Sequence, residues 1–183
     1  LRLLEVLLHK GERVDLMVSA PGQIVIGMET TLKLSGRPAE IRRCLSERFG
    51  VAADRLRVFG REEWTAPLAS GSQAPRAMVV CPCTTGTLAG IAAGTSQNLI
   101  ERAADVVIKE GRKLILVPRE TPFSVIHLEN MLRLARAGVV ILPPNPGFYH
   151  NPGSVEELVD FVVARILDQL GIDNDLSPRW GGD

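Results

Sequence analysis

The sequence predicts an α/β fold, a Rossmann-like or flavodoxin-like doubly wound parallel sheet in a three-layer αβα sandwich, as a single domain. Three observations predict it. Short apolar runs recur along the chain with helix-periodic segments between them. Those runs are near-continuous rather than alternating, the pattern of parallel strands covered on both faces. Gly11, Gly111 and Gly138 stand just past the ends of helical segments, where a left-handed residue closes a helix.

In chain order, residues 1–8 read as a helix that has no N-cap and no strand before it. Residues 14–19 read as a strand, 23–32 and 39–49 as helices, and 56–59 as a weaker strand. A loop rich in Ala, Ser, Gly and Pro spans 63–75, long enough to be functional or mobile. Residues 77–81 form the next strand, followed by helices at 87–93 and 98–110. The strands at 114–117 and 139–142 flank a helix at 124–137, and the last helix runs over 155–170. Asn98 and Ser154 are candidate N-caps, the second with Glu157 three residues on in the manner of a capping box. The α/β core is expected over 1–170, and 171–183 form a polar C-terminal arm.

Composition excludes several function classes. Among 183 residues, 45% are hydrophobic and 23% charged, ordinary for a globular chain. Lys+Arg and Asp+Glu are both 21, so nothing global draws the protein to nucleic acid or to an anionic membrane. Anion binding must therefore come from a local cluster. Cys44, Cys81 and Cys83 match neither a disulfide framework nor a zinc spacing, and read as buried reduced thiols suited to the cytoplasm. No apolar run reaches the roughly 18 residues of a membrane span and no signal-peptide pattern is read in the sequence, so no membrane span is expected.

The chemistry-bearing residues gather in a few places. Segment 117–150 begins as a buried strand, breaks at Pro118 and presents Arg119 and Glu120 at the break. It continues through a helix and a strand to Phe148-Tyr149-His150, and Tyr149 is the single Tyr of the chain. In βαβ units of this kind ligands collect at the carboxyl ends of the strands. Cys81-Pro-Cys-Thr-Thr-Gly-Thr87 also follows a strand and opens a helix, so its free N–H groups and hydroxyls suit a phosphate or the polar edge of a ring. A tight turn capped by hydroxyls is the simpler alternative.

Arg102 and Lys109 lie seven apart on one helix and so share a face, and Arg119 ends the next strand. Together they could clamp a monoester phosphate. A solvated face paired with Glu101, Asp105 and Glu110 accounts for the same spacing. Glu29 and Glu120 are the acid–base candidates, with ordinary surface carboxylates as the alternative. Trp64, Trp180 and Tyr149 are scarce loop aromatics that could cover a ligand or pack on the core or a neighbouring subunit. His127 reads as a satisfied helix residue rather than a base.

Taken in order, these pieces resemble the UbiX-type flavin prenyltransferases, within the wider group of homo-oligomeric flavin-containing cysteine decarboxylases. The resemblance spans essentially the whole chain. It rests on the 81–88 turn, Asn98-Leu-Ile-Glu-Arg-Ala-Ala-Asp105, Val117-Pro-Arg-Glu-Thr-Pro122, His127-Leu-Glu-Asn-Met131, residues 143–150 and Asp160-Phe-Val-Val-Ala-Arg-Ile166. It implies transfer of a dimethylallyl group from dimethylallyl phosphate to reduced FMN, at N5 and then C6, without a metal. The product is prenylated FMN, the cofactor of UbiD-type decarboxylases.

On this sequence the resemblance assigns flavin contacts to Ser19, Thr84, Thr85, Gly86, Thr87 and Arg119. It assigns the substrate phosphate to Lys109, Arg119, Tyr149 and Arg165, with Arg102 close by. Proton handling falls to Glu29 and Glu120, and Trp64 and Trp180 line the pocket. A homododecamer with active sites at subunit interfaces is implied as well. Family members begin with a strand and a Gly/Ala/Ser loop that binds FMN, whereas this sequence opens at the helix that follows it. A longer parent protein is therefore expected. Two other readings keep the fold: an FMN-dependent cysteine decarboxylase, and a non-catalytic flavin-binding subunit.

Overall fold

A computed structural model describes residues 1–52, 54–179 and 181. The elements group into two compact units, one of residues 1–66 with 98–100 and one of residues 67–97 with 101–183.

In the first unit, helix α1 (Arg2–His9) precedes strand β1 (Val14–Met17), helices α2 (Ala20–Glu29) and α3 (Pro38–Phe49), and strand β2 (Leu56–Phe59). β1 and β2 pair in parallel, from Val14 opposite Leu56 to Met17 opposite Phe59. Leu4 and Leu8 of α1, Ile41, Leu45 and Phe49 of α3, and Leu56 of β2 make one apolar core. Their spacing along α1 and α3 is the i, i+4 repeat that puts one helical face inward. Across the ladder Arg57 forks onto Asp15 with two 2.6 Å hydrogen bonds. Its guanidinium also lies 5.5 Å from the centre of the Phe59 ring.

The second unit holds strands β3 (Ala77–Cys83), β4 (Lys113–Pro118) and β5 (Val140–Ile141), with helices α4 (Thr85–Ala93), α5 (Leu99–Lys109), α6 (Val125–Arg136) and α7 (Val155–Leu170). α5 starts in the first unit's share of the chain and runs on into the second. The strands run parallel in the order β3-β4-β5, with β4 central. After Lys113, every residue of β4 is buried. The continuous apolar run is thus a strand covered on both faces, and α4 and α7 both pack on it. Leu88, Ile91, Ala104, Val107, Leu114, Leu116, Met131 and Leu134 are among the residues of its core.

Local structure departs from the sequence reading at four points. α2 starts three residues early, at Ala20, because the Ser19 side chain accepts a hydrogen bond from Gly22 N (3.1 Å) and caps it. Ser19 is therefore a cap and not the end of the strand. β3 runs on to Cys83, with a register shift between Val80 and Cys83 around Pro82, which has no N–H to give the ladder. β5 is shorter than expected, although Leu142 N still donates to Leu116 O (2.8 Å). Two 3₁₀ turns, Pro67–Ala69 and Gly71–Gln73, organise the 63–75 loop.

The thiol expectation also needs correcting. Only Cys83 is buried; Cys44 is half-buried and Cys81 exposed, because Cys81 lies on the irregular end of β3. Gly11, Gly111 and Gly138 do adopt left-handed backbone, as their positions after helices predict.

Candidate functional site

The site is built on a register pair. Cys83 of β3 lies opposite Pro118 of β4, so the segments that leave those strands start side by side at the carboxyl edge of the sheet. One is the turn Thr84–Thr87, the other Arg119-Glu120. Thr84 is the N-cap of α4: its Oγ1 accepts from Thr87 N (3.2 Å) and donates to Thr87 Oγ1 (3.0 Å). Leu88 N donates to Thr84 O (2.9 Å). These bonds occupy the N–H groups of Thr87 and Leu88, and leave those of Thr85 and Gly86 pointing out of the helix start. Thr84 and Gly86 are exposed. The turn is therefore the hydroxyl-capped one, and its remaining donors are open to an anion or the polar edge of a ring.

Arg119 is exposed and Glu120 half-buried. Glu120 Oε1 accepts from Thr121 N (3.1 Å), which holds the carboxylate close to the strand end.

The helix cations reach one segment. Arg102 donates through Nε to Ala69 O (3.2 Å) and through Nη1 to Asp105 (2.9 Å). Lys109 Nζ donates to Glu110 Oε1 (2.5 Å) and lies so close to Gly71 that a Cβ there would come within 2.7 Å of it. Arg102 and Lys109 thus both project to the 3₁₀ turns, as the shared helix face requires. Lys109 in turn holds the exposed Glu110 carboxyl below its ordinary pKa, mainly by their hydrogen bond. Two of the three anticipated acidic partners are realised. Glu101 is instead buried, accepting from Thr95 Oγ1 (2.9 Å) and Gln97 N (2.8 Å), and a Cβ on Gly90 would lie 2.8 Å from its carboxyl carbon.

Tyr149 is about half exposed and meets Phe161 edge to face, with centroids 6.1 Å apart. Its ring lies over Gly147, where any Cβ would come within 2.6 Å of it. His150 stacks on Phe161 at 5.6 Å with the rings nearly parallel. Arg165, on α7, donates through Nη1 to Asp168 Oδ2 (2.7 Å). His127 forms a capping box with Ser124, its Nδ1 accepting from Ser124 N (3.2 Å), which accounts for it as a helix-start residue. Ser154 caps α7 by accepting from Glu157 N, while the Glu157 carboxylate takes Gly153 N instead of closing the box on Ser154.

In the first unit, Ser19 is half-buried at the start of α2 and Glu29 exposed at its last position. Trp64 is about half exposed. Trp180 lies outside the described residues. Sequence reasoning missed Gly147, Phe161 and Asp168, and put Glu101 on a solvated face where the structure buries it. The Arg165–Asp168 spacing of three on a helix was the one available signal among them.

Among the described residues no three His, Cys, Asp or Glu side chains converge as a metal site would need, and no helix is long and apolar enough to cross a membrane.

This combination, parallel strands with a donor turn and a charged pair at adjacent carboxyl ends, defines an α/β protein whose ligand site lies at the carboxyl edge of its sheet. Residues 1–167 match the family model described as Flavoprotein. The chain is 58% identical over 181 residues to the flavin prenyltransferase UbiX of Pseudomonas aeruginosa, covering 99% of this chain and 87% of that protein. It is 45% identical to the UbiX of Halalkalibacterium halodurans, covering 99% and 86%.

Among solved structures, a dodecameric FMN-dependent UbiX-like decarboxylase from Escherichia coli O157:H7 superposes with a TM-score of 0.84, at 40% identity over 99% of this chain and 93% of that one. AnUbiX (PadA1), solved with FMN and dimethylallyl pyrophosphate, gives 0.86 at 40% identity over 99% and 89%. The chain belongs to the flavoprotein family and, within it, to the UbiX-like flavin prenyltransferases. The Rossmann-like, doubly wound αβα fold class is that of these relatives.

Proposed function

We propose that the protein is a flavin prenyltransferase that moves a dimethylallyl group from dimethylallyl phosphate to reduced FMN. The observation that carries this reading is the Cys83–Pro118 register, which sets the Thr84–Thr87 donors beside Arg119 and Glu120, in a chain 58% identical to a flavin prenyltransferase. The flavin supplies the nucleophilic N5 and C6. The allylic C–O bond breaks, carbon bonds form at those two positions, and phosphate leaves. One displaced proton goes with the phosphate and the other ends on the allyl double bond, so the reaction is redox-neutral.

Each residue has a physical task in this reading. Ser19, Thr84, Thr85, Gly86, Thr87 and Arg119 hold the flavin. Lys109, Arg119, Tyr149 and Arg165, with Arg102 beside them, stabilise charge on the leaving phosphate. Glu29 and Glu120 handle protons, including the one lost from C6. Trp64 and Trp180 keep water from the allyl cation. The working protein is a cytoplasmic homo-oligomer, a dodecamer like its E. coli relative, and delivers prenylated FMN to a UbiD-type decarboxylase.

The test is to incubate the full-length protein with reduced FMN and either dimethylallyl phosphate or the pyrophosphate. Appearance of prenylated flavin by mass and absorbance is expected. Its absence, together with turnover of a cysteinyl substrate, would move the protein to the decarboxylases. The Glu120→Gln variant is expected to bind FMN normally and to lose at least about a hundredfold in rate. Undiminished turnover would remove Glu120 from the mechanism.

A further inference from the structure

Asp168 was not among the residues that sequence reasoning selected, yet three side chains converge on it. Arg165 Nη1 donates to Oδ2 at 2.7 Å. Arg179 Nη2 and Asn174 Nδ2 each donate to Oδ1 at 3.2 Å. The carboxylate is mostly shielded, its side chain 21% exposed, whereas the Arg165 and Arg179 side chains are 54% and 65% exposed. One acid thus divides its two oxygens between a helix cation and the segment after the helix.

The backbone explains how the segment reaches it. α7 ends at Gly171 in left-handed backbone (φ 70°), with Gly171 N donating to Asp168 O (3.1 Å) and Ile172 N to Leu167 O (3.0 Å). A helix closed this way turns the chain back over its own last turn. Residues 172–179 therefore return past Asp168. Asn174 braces the turn by also donating to Ile172 O (3.3 Å).

Two consequences follow for Arg165. Its Nη1 is fixed from one side, and guanidinium geometry leaves Nε and Nη2 as a coplanar pair suited to a bidentate hold on phosphate. Its positive charge and that of Arg179 are kept together by the anion between them; without it they would repel.

We propose that Asp168 is a positioning residue that orients Arg165 for the substrate phosphate and latches the segment 172–179 onto the end of α7. The inference rests on Arg165 holding the phosphate, as proposed above.

The test compares full-length protein carrying Asp168→Asn, Arg165→Ala, both, and Asp168→Glu. Asp168→Asn keeps the shape and removes the charge. It is expected to raise the KM for dimethylallyl phosphate about three- to tenfold, the range of one weakened charge-assisted hydrogen bond at a partly exposed site. The rate constant at saturation falls by no more than a similar factor, because Arg165 is one of several groups on the leaving phosphate, and the FMN affinity stays near wild type. On the Arg165→Ala background the same change should add less than about twofold, because its effect passes through Arg165. Asp168→Glu should restore part of the KM.

Hydrogen exchange of residues 172–179 should lose protection in Asp168→Asn and in Arg179→Ala, while the β4 amides stay protected and show the fold intact. A KM unchanged by Asp168→Asn but raised by Arg165→Ala would overturn the positioning role and leave the phosphate reading standing. An equal factor on both backgrounds would make the effect a general structural one and overturn it too. A KM unchanged by Arg165→Ala would remove the phosphate reading of Arg165 and the positioning role with it.

Discussion

α2 and α4 are built alike at their starts and differently along their lengths. Each follows a parallel strand, each is capped by a hydroxyl (Ser19 or Thr84), and each is rich in apolar residues. α4 buries Leu88, Ile91 and Ala92 in the core of its unit. α2 has no buried residue, and Ile24, Val25 and Met28 are 63%, 42% and 80% exposed. Capping and composition set where a helix begins; they do not set what covers it. An apolar face left open on one copy is what an assembly interface covers. The exposed Val125, Ile126 and Leu128 at the start of α6 have the same character.

The largest expected effect breaks that comparison directly. Leu88→Ala should cost about 2–5 kcal/mol, since a fully buried side chain leaves a cavity between α4 and β4. Met28→Ala should cost no more than about 0.5 kcal/mol if its side chain meets solvent. Urea unfolding of both variants across protein concentrations reads the contrast. A cost for Met28→Ala that rises with concentration would show α2 covered in the assembly.

The next effect concerns how dry the α4 side is. Cys83, 1% exposed at the end of β3, belongs to the same core as Leu88, and its thiol is pushed up to about 12, first by burial and then by Cys81. A thiol whose folded pKa is raised keeps its contribution to stability below the unfolded value, near 8.5. It loses that contribution as pH rises from there towards 12, because the unfolded chain ionises first. Above about pH 9 stability should therefore fall by about 1.4 kcal/mol per pH unit from this group. Cys83→Ala should flatten that slope in a pH series of unfolding midpoints. Cys83 should also react more slowly with an alkylating reagent than the exposed Cys81.

Smaller than the effects at the buried positions are those at the two caps. Ser19→Ala and Thr84→Ala should each cost about 1 kcal/mol, as lost N-caps do. Ser19→Asn and Thr84→Asn restore a cap without the hydroxyl. Recovery of the melting temperature without recovery of FMN affinity would separate the structural from the ligand role at each helix. Recovery of both would leave these side chains as caps only.

Much of the fold was legible because its signals are local. The apolar run ending at Val117 is buried as read, and Gly111 and Gly138 close helices in left-handed backbone as their positions require. The shared face of Arg102 and Lys109 follows from helical spacing alone, and both side chains do reach the same 3₁₀ turns. The start of α2 was misplaced because a Ser after a strand looks like strand until its side chain turns back onto Gly22 N. The Cys81-Pro82-Cys83 segment was read as turn because Pro usually ends a strand, yet Cys83 resumes the pairing opposite Pro118.

The sequence by itself determined the alternation of strands and helices, the apolar faces, the caps and the identity of the charged and hydroxyl residues. Each of these depends on neighbours within about one or two turns of chain. Only the tertiary structure decided that the Thr84 turn starts beside Arg119, that Glu101 is buried against Gly90, and that Asp168 gathers Arg165, Asn174 and Arg179. Those meetings depend on strand register and on where the chain folds back. No local pattern of residue types encodes either, because they are settled by packing between segments far apart in sequence.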